Sequence, residues 1–281
     1  MKAAAFDYVR AASVDEAISS LVADGALVLA GGQSLVPLLN MRLARPSLVV
    51  DVNGLDELAY VRRDGEHVEI GALTRQRAVE TSDVVRRDVP LLAQALRHVG
   101  HVATRNRGTL GGSLAHADPA AELPAVAVAL DAELVVRGPR GERVVAAREF
   151  FESPFRTVLT TGELLSAIRV PVRAADCAVE ELTRRSKDLA LVAVFVALER
   201  TADGRCERAR IAVAGAGPTP IRATAAEELL HGRSLSDDVI AEAAREIAAV
   251  TDPPSDLHAP AEYRREMAAV LGGRALTKAV R

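Results

Sequence analysis

The sequence predicts an α+β fold. Three observations carry that reading: strand-like and helix-like segments do not alternate as in a doubly wound sheet, short hairpins carry much of the middle of the chain, and amphipathic helices gather near its end. With 281 residues and 49% hydrophobic content the chain can bury a substantial core, and its length lies between one large domain and two or three small ones.

The first fifty residues read as a β-α-loop-α-β unit. Ser13 followed by Glu16 makes a capping box, and Val14, Ala17, Ile18, Leu21 and Val22 share a helical face that Gly25 ends. A short apolar strand, Leu27 to Ala30, runs into Gly31-Gly32-Gln33-Ser34; a helix from about Pro37 to Leu43 and a strand from Leu48 to Val52 follow. Between about Leu55 and Pro171 short strands surround one clear helix, Pro90 to Val99, started by proline at a first-turn position. Glu133–Val136 and Arg143–Val145 flank Gly138-Pro139-Arg140-Gly141 as a hairpin. Strand-like runs then occupy Leu189–Leu198 and Arg210–Ala214. Helices are expected at Thr224–Leu230, Ser236–Val250 and Glu262–Leu271, with Asp252-Pro253-Pro254-Ser255 separating the last two.

Lys and Arg number 35 against 38 Asp and Glu, a net charge of −3 with no dense basic stretch, which argues against a nucleic-acid groove or an anionic membrane surface. No apolar run is long enough for a signal-peptide core or a membrane span, so a soluble, cytoplasmic protein is expected. Only Cys177 and Cys206 are present, far apart and without paired histidines. The chain is therefore expected to hold no metal site, and any metal redox centre belongs on another polypeptide. The six histidines have no nucleophile partner in sequence, and no G-x-S-x-G elbow occurs.

Two glycine pairs are the candidate binding motifs. Ala30-Gly31-Gly32-Gln33-Ser34-Leu35 follows a strand and precedes a helix; Thr109-Leu110-Gly111-Gly112-Ser113-Leu114 follows the basic stretch Arg105-Asn106-Arg107-Gly108. Glycine lets a backbone approach a ligand closely, and successive amides in such turns form an anion-binding nest to which the hydroxyls of Ser34, Thr109 and Ser113 can add donors. Taken singly, each pair also reads as an ordinary tight turn, and the basic stretch as a solvated one. Neither is a G-x-G-x-x-G fingerprint or a nucleotide-triphosphate loop. The next segment, Ala115 to Pro124, offers His116, Asp118 and Glu122; the two acids suit ribose or ribityl hydroxyls, and Asp118-Pro119 suits a turn equally well.

Together these segments resemble the FAD-binding medium subunit of molybdenum hydroxylases, the carbon monoxide dehydrogenase and xanthine dehydrogenase flavoprotein family. The resemblance runs through Phe6-Asp7-Tyr8, Ala30 to Pro37, Arg105 to Ser113, Asp118 to Pro124, Thr161-Gly162-Glu163-Leu164-Leu165 (where the family has Pro for Thr161) and Pro260-Ala261-Glu262-Tyr263-Arg264, nearly the whole chain. It implies a two-subdomain FAD-binding part of the vanillyl-alcohol-oxidase-like (PCMH) type, residues 1–54 and 55–173, and a C-terminal α+β domain, 177–281, with a three-stranded antiparallel sheet. By similarity, Ala30, Gly31, Gly32, Gln33, Ser34, Leu35, Thr109, Gly111, Gly112 and Ser113 hold the pyrophosphate of FAD. Glu122 matches an acidic cofactor-bonding position, with His116 and Asp118 in the same loop. Lys187 and Leu189 lie in the stretch that approaches the isoalloxazine. Gln33 stands where the family usually has His, and Leu189 where the carbon monoxide dehydrogenase type has Tyr.

The resemblance further implies an electron-relay role. Electrons from a molybdopterin cofactor on a large subunit pass through [2Fe-2S] clusters on a small subunit to FAD here, and then to an external acceptor, within a dimer of heterotrimers. No side chain of this chain is expected to be a catalytic acid or base in the organic step. A stand-alone FAD oxidoreductase and a scaffold subunit that has lost FAD are the competing readings.

Overall fold

The computed structural model describes residues 2–173 and 175–281; Met1 and Ala174 lie outside the description. The N-terminal unit is a parallel three-stranded sheet of β1 (Asp7–Arg10), β2 (Ala26–Leu29) and β3 (Leu48–Asp51), with β3 central, carrying helices α1 (Val14–Ser20) and α2 (Leu35–Asn40). Ser13 Oγ accepts the Glu16 amide as expected, and the Glu16 carboxylate turns back to the Ala12 amide. The helix stops at Ser20, short of Gly25, which at φ +71° makes the turn into β2. Helix α2 begins at Leu35, ahead of the expected Pro37, because a proline in the first turn displaces no helical hydrogen bond.

The middle of the chain is richer in helix than its sequence suggests. After β4 (Val61–Asp64) and β5 (His67–Gly71) come α3 (Gln76–Thr81), α4 (Asp83–Asp88), α5 (Pro90–Leu96), α6 (Val102–Arg107), α7 (Leu110–His116) and α8 (Glu122–Ala129). Next are β6 (Glu133–Gly138), β7 (Gly141–Ala146), α9 (Ala147–Phe150), the small pair β8 (Phe151–Ser153) and β9 (Arg156–Thr157), and β10 (Leu164–Pro171). One antiparallel sheet in the order β4-β5-β10-β6-β7 gathers the longer strands, and the expected hairpin is β6-β7. Every residue of α8 is buried, so it shows no amphipathic period to read.

The C-terminal sheet corrects an expectation: it has four strands, not three. Its order is β11 (Asp176–Thr183), β12 (Ala190–Arg200), β13 (Cys206–Ala214) and β14 (Ile221–Arg222), antiparallel throughout. The fourth strand is two residues long, too short for an alternation pattern. Helices α10 (Thr224–Leu230), α11 (Asp237–Ala249) and α12 (Ala261–Val280) follow. Instead of ending at Leu271, α12 runs through Gly272-Gly273, where the missing side chain admits α11: a Cβ on Gly272 would lie 2.7 Å from Ile247 Cδ1.

Strand β12 is apolar on both faces because both are covered. Ala193, Phe195 and Ala197 join the core built on α5 and α8, while Val192, Val194, Val196 and Leu198 join the core under α10 to α12. No helix is long and apolar enough to cross a membrane among the described residues.

Candidate functional site

The two glycine pairs, about eighty residues apart in sequence, meet in space. Gly31 lies so close to the end of α6 that a Cβ there would stand 2.4 Å from the Arg107 carbonyl oxygen and 2.7 Å from Gly108 Cα; a Cβ on Gly112 would face Ala30 Cβ at 3.7 Å. Gly32 adopts φ +73°, a conformation that favours glycine. Among the described residues, the amides of 31 to 34 donate to no protein acceptor. Unpaired amides in such a turn need a ligand or water, and they suit an anion.

These features line a cleft of 380 Å³ bounded by Ala30, Gly31, Gly32, Gln33, Asn53 and Arg107, among others. A larger cleft of 620 Å³, around Arg87, Arg173 and Arg200, shares none of its lining. Gln33 lines the smaller one and is exposed, as is the neighbouring Ser34, and Gln33 Nε2 donates back to the Gly31 carbonyl. Leu35 opens α2.

The second glycine pair is not an open loop but the first turn of α7. Thr109 is its N-cap and accepts the Gly112 amide at 3.1 Å, which leaves the hydroxyl proton free to donate. The Gly111 amide donates to Ala72 O, and a Cβ on Gly111 would meet Ala72 at 2.5 Å. Position 111 thus lacks a side chain because of packing against Ala72, while Gly112 and Ser113 are half-buried beside the first segment.

Residues that carry no sequence signal hold this joint. Asn53 Nδ2 donates to the carbonyls of Leu29 and Ala30 and to Asp51 Oδ1; Arg75 donates to Asn53 Oδ1 at 2.8 Å and to the Arg107 carbonyl at 2.6 Å. Tyr8, from the Phe-Asp-Tyr segment, donates to Asp51 at 2.6 Å, so that segment braces the cradle from outside. Glu163 in Thr-Gly-Glu-Leu-Leu takes a two-pronged Arg143 and the Thr160 amide, which together hold its carboxyl down at about 2; that motif is structural.

Helix α7 leads from the cradle to the second group of candidates, about 9 Å along its axis. Ala117 ends it in the left-handed conformation, and the chain turns through Asp118, whose side chain accepts the Ala120 amide. His116 packs against Phe155 with ring centroids 5.2 Å apart and the ring planes tilted by 49°, and burial lowers its pKa against the pull of Asp118. Glu122 opens α8 with 4% of its surface exposed. Burial first, then the charge of Glu181 and that of Asp118, push its carboxyl up to about 8, with its own amide and Lys187 opposing. Lys187, at φ +74°, donates to the Arg97 carbonyl at 2.5 Å. Leu189 stands 57% exposed. Thus Asp118 and Lys187 act on Glu122 at electrostatic range, as does Glu181, which the sequence did not suggest.

The arrangement sets a turn of unpaired amides at one end of α7 and the buried Glu122 beyond the other. Residues 4–173 match the family described as the FAD binding domain in molybdopterin dehydrogenase, and residues 177–279 that described as the CO dehydrogenase flavoprotein C-terminal domain. The chain is 42% identical to the 6-hydroxypseudooxynicotine dehydrogenase complex subunit alpha of Paenarthrobacter nicotinovorans, covering 100% of this chain and 96% of that protein. Its identity to the caffeine dehydrogenase subunit beta of Pseudomonas sp. (strain CBB1) is 40%, covering 99% and 96%. Among solved structures it resembles reconstituted CO dehydrogenase from Oligotropha carboxidovorans with a TM-score of 0.97 at 36% identity, covering 100% of this chain and 99% of that one.

Proposed function

Because the chain belongs to the FAD-binding flavoprotein family of molybdopterin dehydrogenases, we propose that it is the FAD-carrying electron-transfer subunit of a molybdenum hydroxylase, an oxidoreductase complex of several chains. The observation that carries this reading is the joint between Gly31 and Arg107-Gly108, with its unpaired amides facing the cleft. We assign the pyrophosphate to the segments 30–35 and 109–113, with Gly111 acting through packing, and the flavin end to His116, Asp118, Glu122, Lys187 and Leu189. The units 1–54, 55–173 and 177–281 are the corresponding domains.

Bound FAD supplies an acceptor that takes electrons singly and releases them in pairs. The chain's own part is binding and orientation: the cradle amides and the Thr109 hydroxyl offer donors to phosphate oxygens, and the Asn53-Arg75 bridge keeps the two segments in contact. The proposed partners are a small subunit with [2Fe-2S] clusters and a large subunit with the molybdopterin cofactor, assembled as a dimer of heterotrimers in the cytoplasm.

The test is reconstitution. The purified chain takes up one FAD, and its flavin absorbance bleaches when the organic substrate is added only if both partner chains are present. A chain that stays colourless after FAD addition, or that turns over alcohols or amines alone, overturns the assignment.

A further inference from the structure

Pro260-Ala261-Glu262-Tyr263-Arg264, one of the segments that carry the family resemblance, has no part in the cradle. Its last residue is buried and opens as a fork onto three acceptors. Arg264 Nη1 donates to the Leu191 carbonyl at 2.6 Å and to the Gly215 carbonyl at 3.2 Å, and Nη2 donates to Asp256 Oδ2 at 2.8 Å. Both carbonyls stand where the sheet is interrupted. Leu191 is the extra residue of a bulge in β12: Ala190 pairs with Thr183 and Val192 with Leu182, which leaves Leu191 unpaired between them. Gly215 leaves β13 at φ +74° and has no room for a side chain, since a Cβ there would lie 2.5 Å from the Leu191 oxygen. The Gly215 amide crosses to the flavin-binding half and donates to the Pro119 carbonyl at 2.8 Å. Arg264 thus ties the head of β12, just beyond Leu189, to the Asp118-Pro119 turn ahead of Glu122, with Gly215 as the link. As a staple it is poor: its Nε is buried without an acceptor among the described residues, and desolvation offsets most of what a buried ion pair gains. What a planar fork does fix is the position of the groups it holds.

We propose that Arg264 is a positioning residue of the flavin end: it fixes the Leu189 stretch and the Asp118-Pro119 turn relative to each other, and so sets the surroundings of the ring. Its bearing on the flavin rests on the FAD assignment above, whereas the clamp itself stands on the hydrogen bonds to Leu191, Gly215 and Pro119. Without the fork, the bulge and the Gly215 turn lose their common tether, and the bond from the Gly215 amide to Pro119 opens more readily. Asp256 holds the outer arm of the fork and touches neither carbonyl, so its charge serves stability and not position.

Amide hydrogen exchange of the flavin-free chain reads the clamp, and visible circular dichroism of the FAD-loaded chain reads its effect on the ring. In Arg264→Leu the Gly215 amide should exchange about tenfold faster or more, as expected for loss of a hydrogen bond to a charged group. The dichroism of the bound flavin should change at full FAD occupancy. Asp256→Asn removes the ion pair and spares both carbonyl bonds; it should lower the melting temperature and leave the Gly215 exchange and the dichroism as in wild type. Wild-type exchange or wild-type dichroism in Arg264→Leu, or the same changes in Asp256→Asn, overturn the proposal. If Arg264→Leu fails to fold, Arg264→Lys, a point charge without the fork, decides by the same two readouts. A wild-type chain that takes up no FAD refutes the FAD assignment instead, while the Gly215 amide still tests the clamp.

Discussion

A methyl group on Gly31 would stand 2.4 Å from a backbone oxygen that cannot swing aside, so Gly31→Ala must part the two segments that form the cradle. Overpacking of this kind costs about 1–3 kcal/mol, roughly a tenfold loss of FAD affinity or more. Fluorescence titration of FAD checks it, and wild-type affinity would show the pyrophosphate to lie elsewhere. Glu122 gives a second expectation at this scale. Its carboxyl ionises at about 8 in the fold against 4.5 for the free side chain. Between those values the folded protein keeps a proton that the unfolded chain has released, so stability falls as pH rises through that window and levels off above it. Glu122→Gln is free of this penalty, and thermal melts at about pH 5 and about pH 8 should show its stability relative to wild type rising with pH. A constant difference would mean that Glu122 is already charged in the fold. The glycine pairs were legible because their backbone demands are local. Asn53 and Arg75 were not, since an ordinary asparagine and arginine become part of the site only through contacts 22 to 32 residues away. Glu181 stayed hidden for the same reason, 83 residues from His98.

Elements bounded by caps or by a clean period were readable from sequence; those defined by their neighbours were not. Ser13, Pro90 and Ser236 start helices where expected, and the β6-β7 hairpin stands where its turn residues place it. Helix α8 has no polar face and escapes a reading by period, whereas β12, a continuous apolar run that reads as a strand at Leu189–Leu198, is a strand at Ala190–Arg200. A glycine pair stops a helix in most sequence contexts, yet α12 passes through Gly272-Gly273 because α11 fills the space. Gly272→Val should therefore lower stability despite the better helix propensity of valine, by about 1–3 kcal/mol from forced displacement of Ile247. Urea denaturation measures it; an unchanged or raised midpoint would place the contact elsewhere.

For the whole molecule, the two halves are joined by charge as well as by a shared core. Asp131, just after α8, accepts Arg148 from the flavin-binding half and Arg210 and Arg222 from the C-terminal sheet; Arg210 and Arg222 are nearly buried and are also held by Glu199 and Glu227. Asp131 is partly exposed and both arginines keep a second carboxylate, so Asp131→Ala should cost about 1–3 kcal/mol, below the full penalty for breaking a buried pair. The loss should appear as two separated unfolding steps in calorimetry where the wild type shows one. A single unshifted transition would mean that the apolar core alone joins the halves. At this scale the sequence resemblance conveyed the order of parts, but the composition of the interface came from strand faces and arginine networks that no local pattern reveals.

Helix α7 has one more consequence. On the proposed assignment its first turn serves the cradle and its last residue, His116, the flavin end, so its length is a gauge that sets both the separation and the angular bearing of the two ends. One inserted alanine would lengthen the gauge by about 1.5 Å and rotate everything beyond it by about 100°. Such an insertion should leave a chain that still grips the phosphate end of its cofactor while presenting the wrong side chains to the ring: tight binding of ADP, weak binding of FAD.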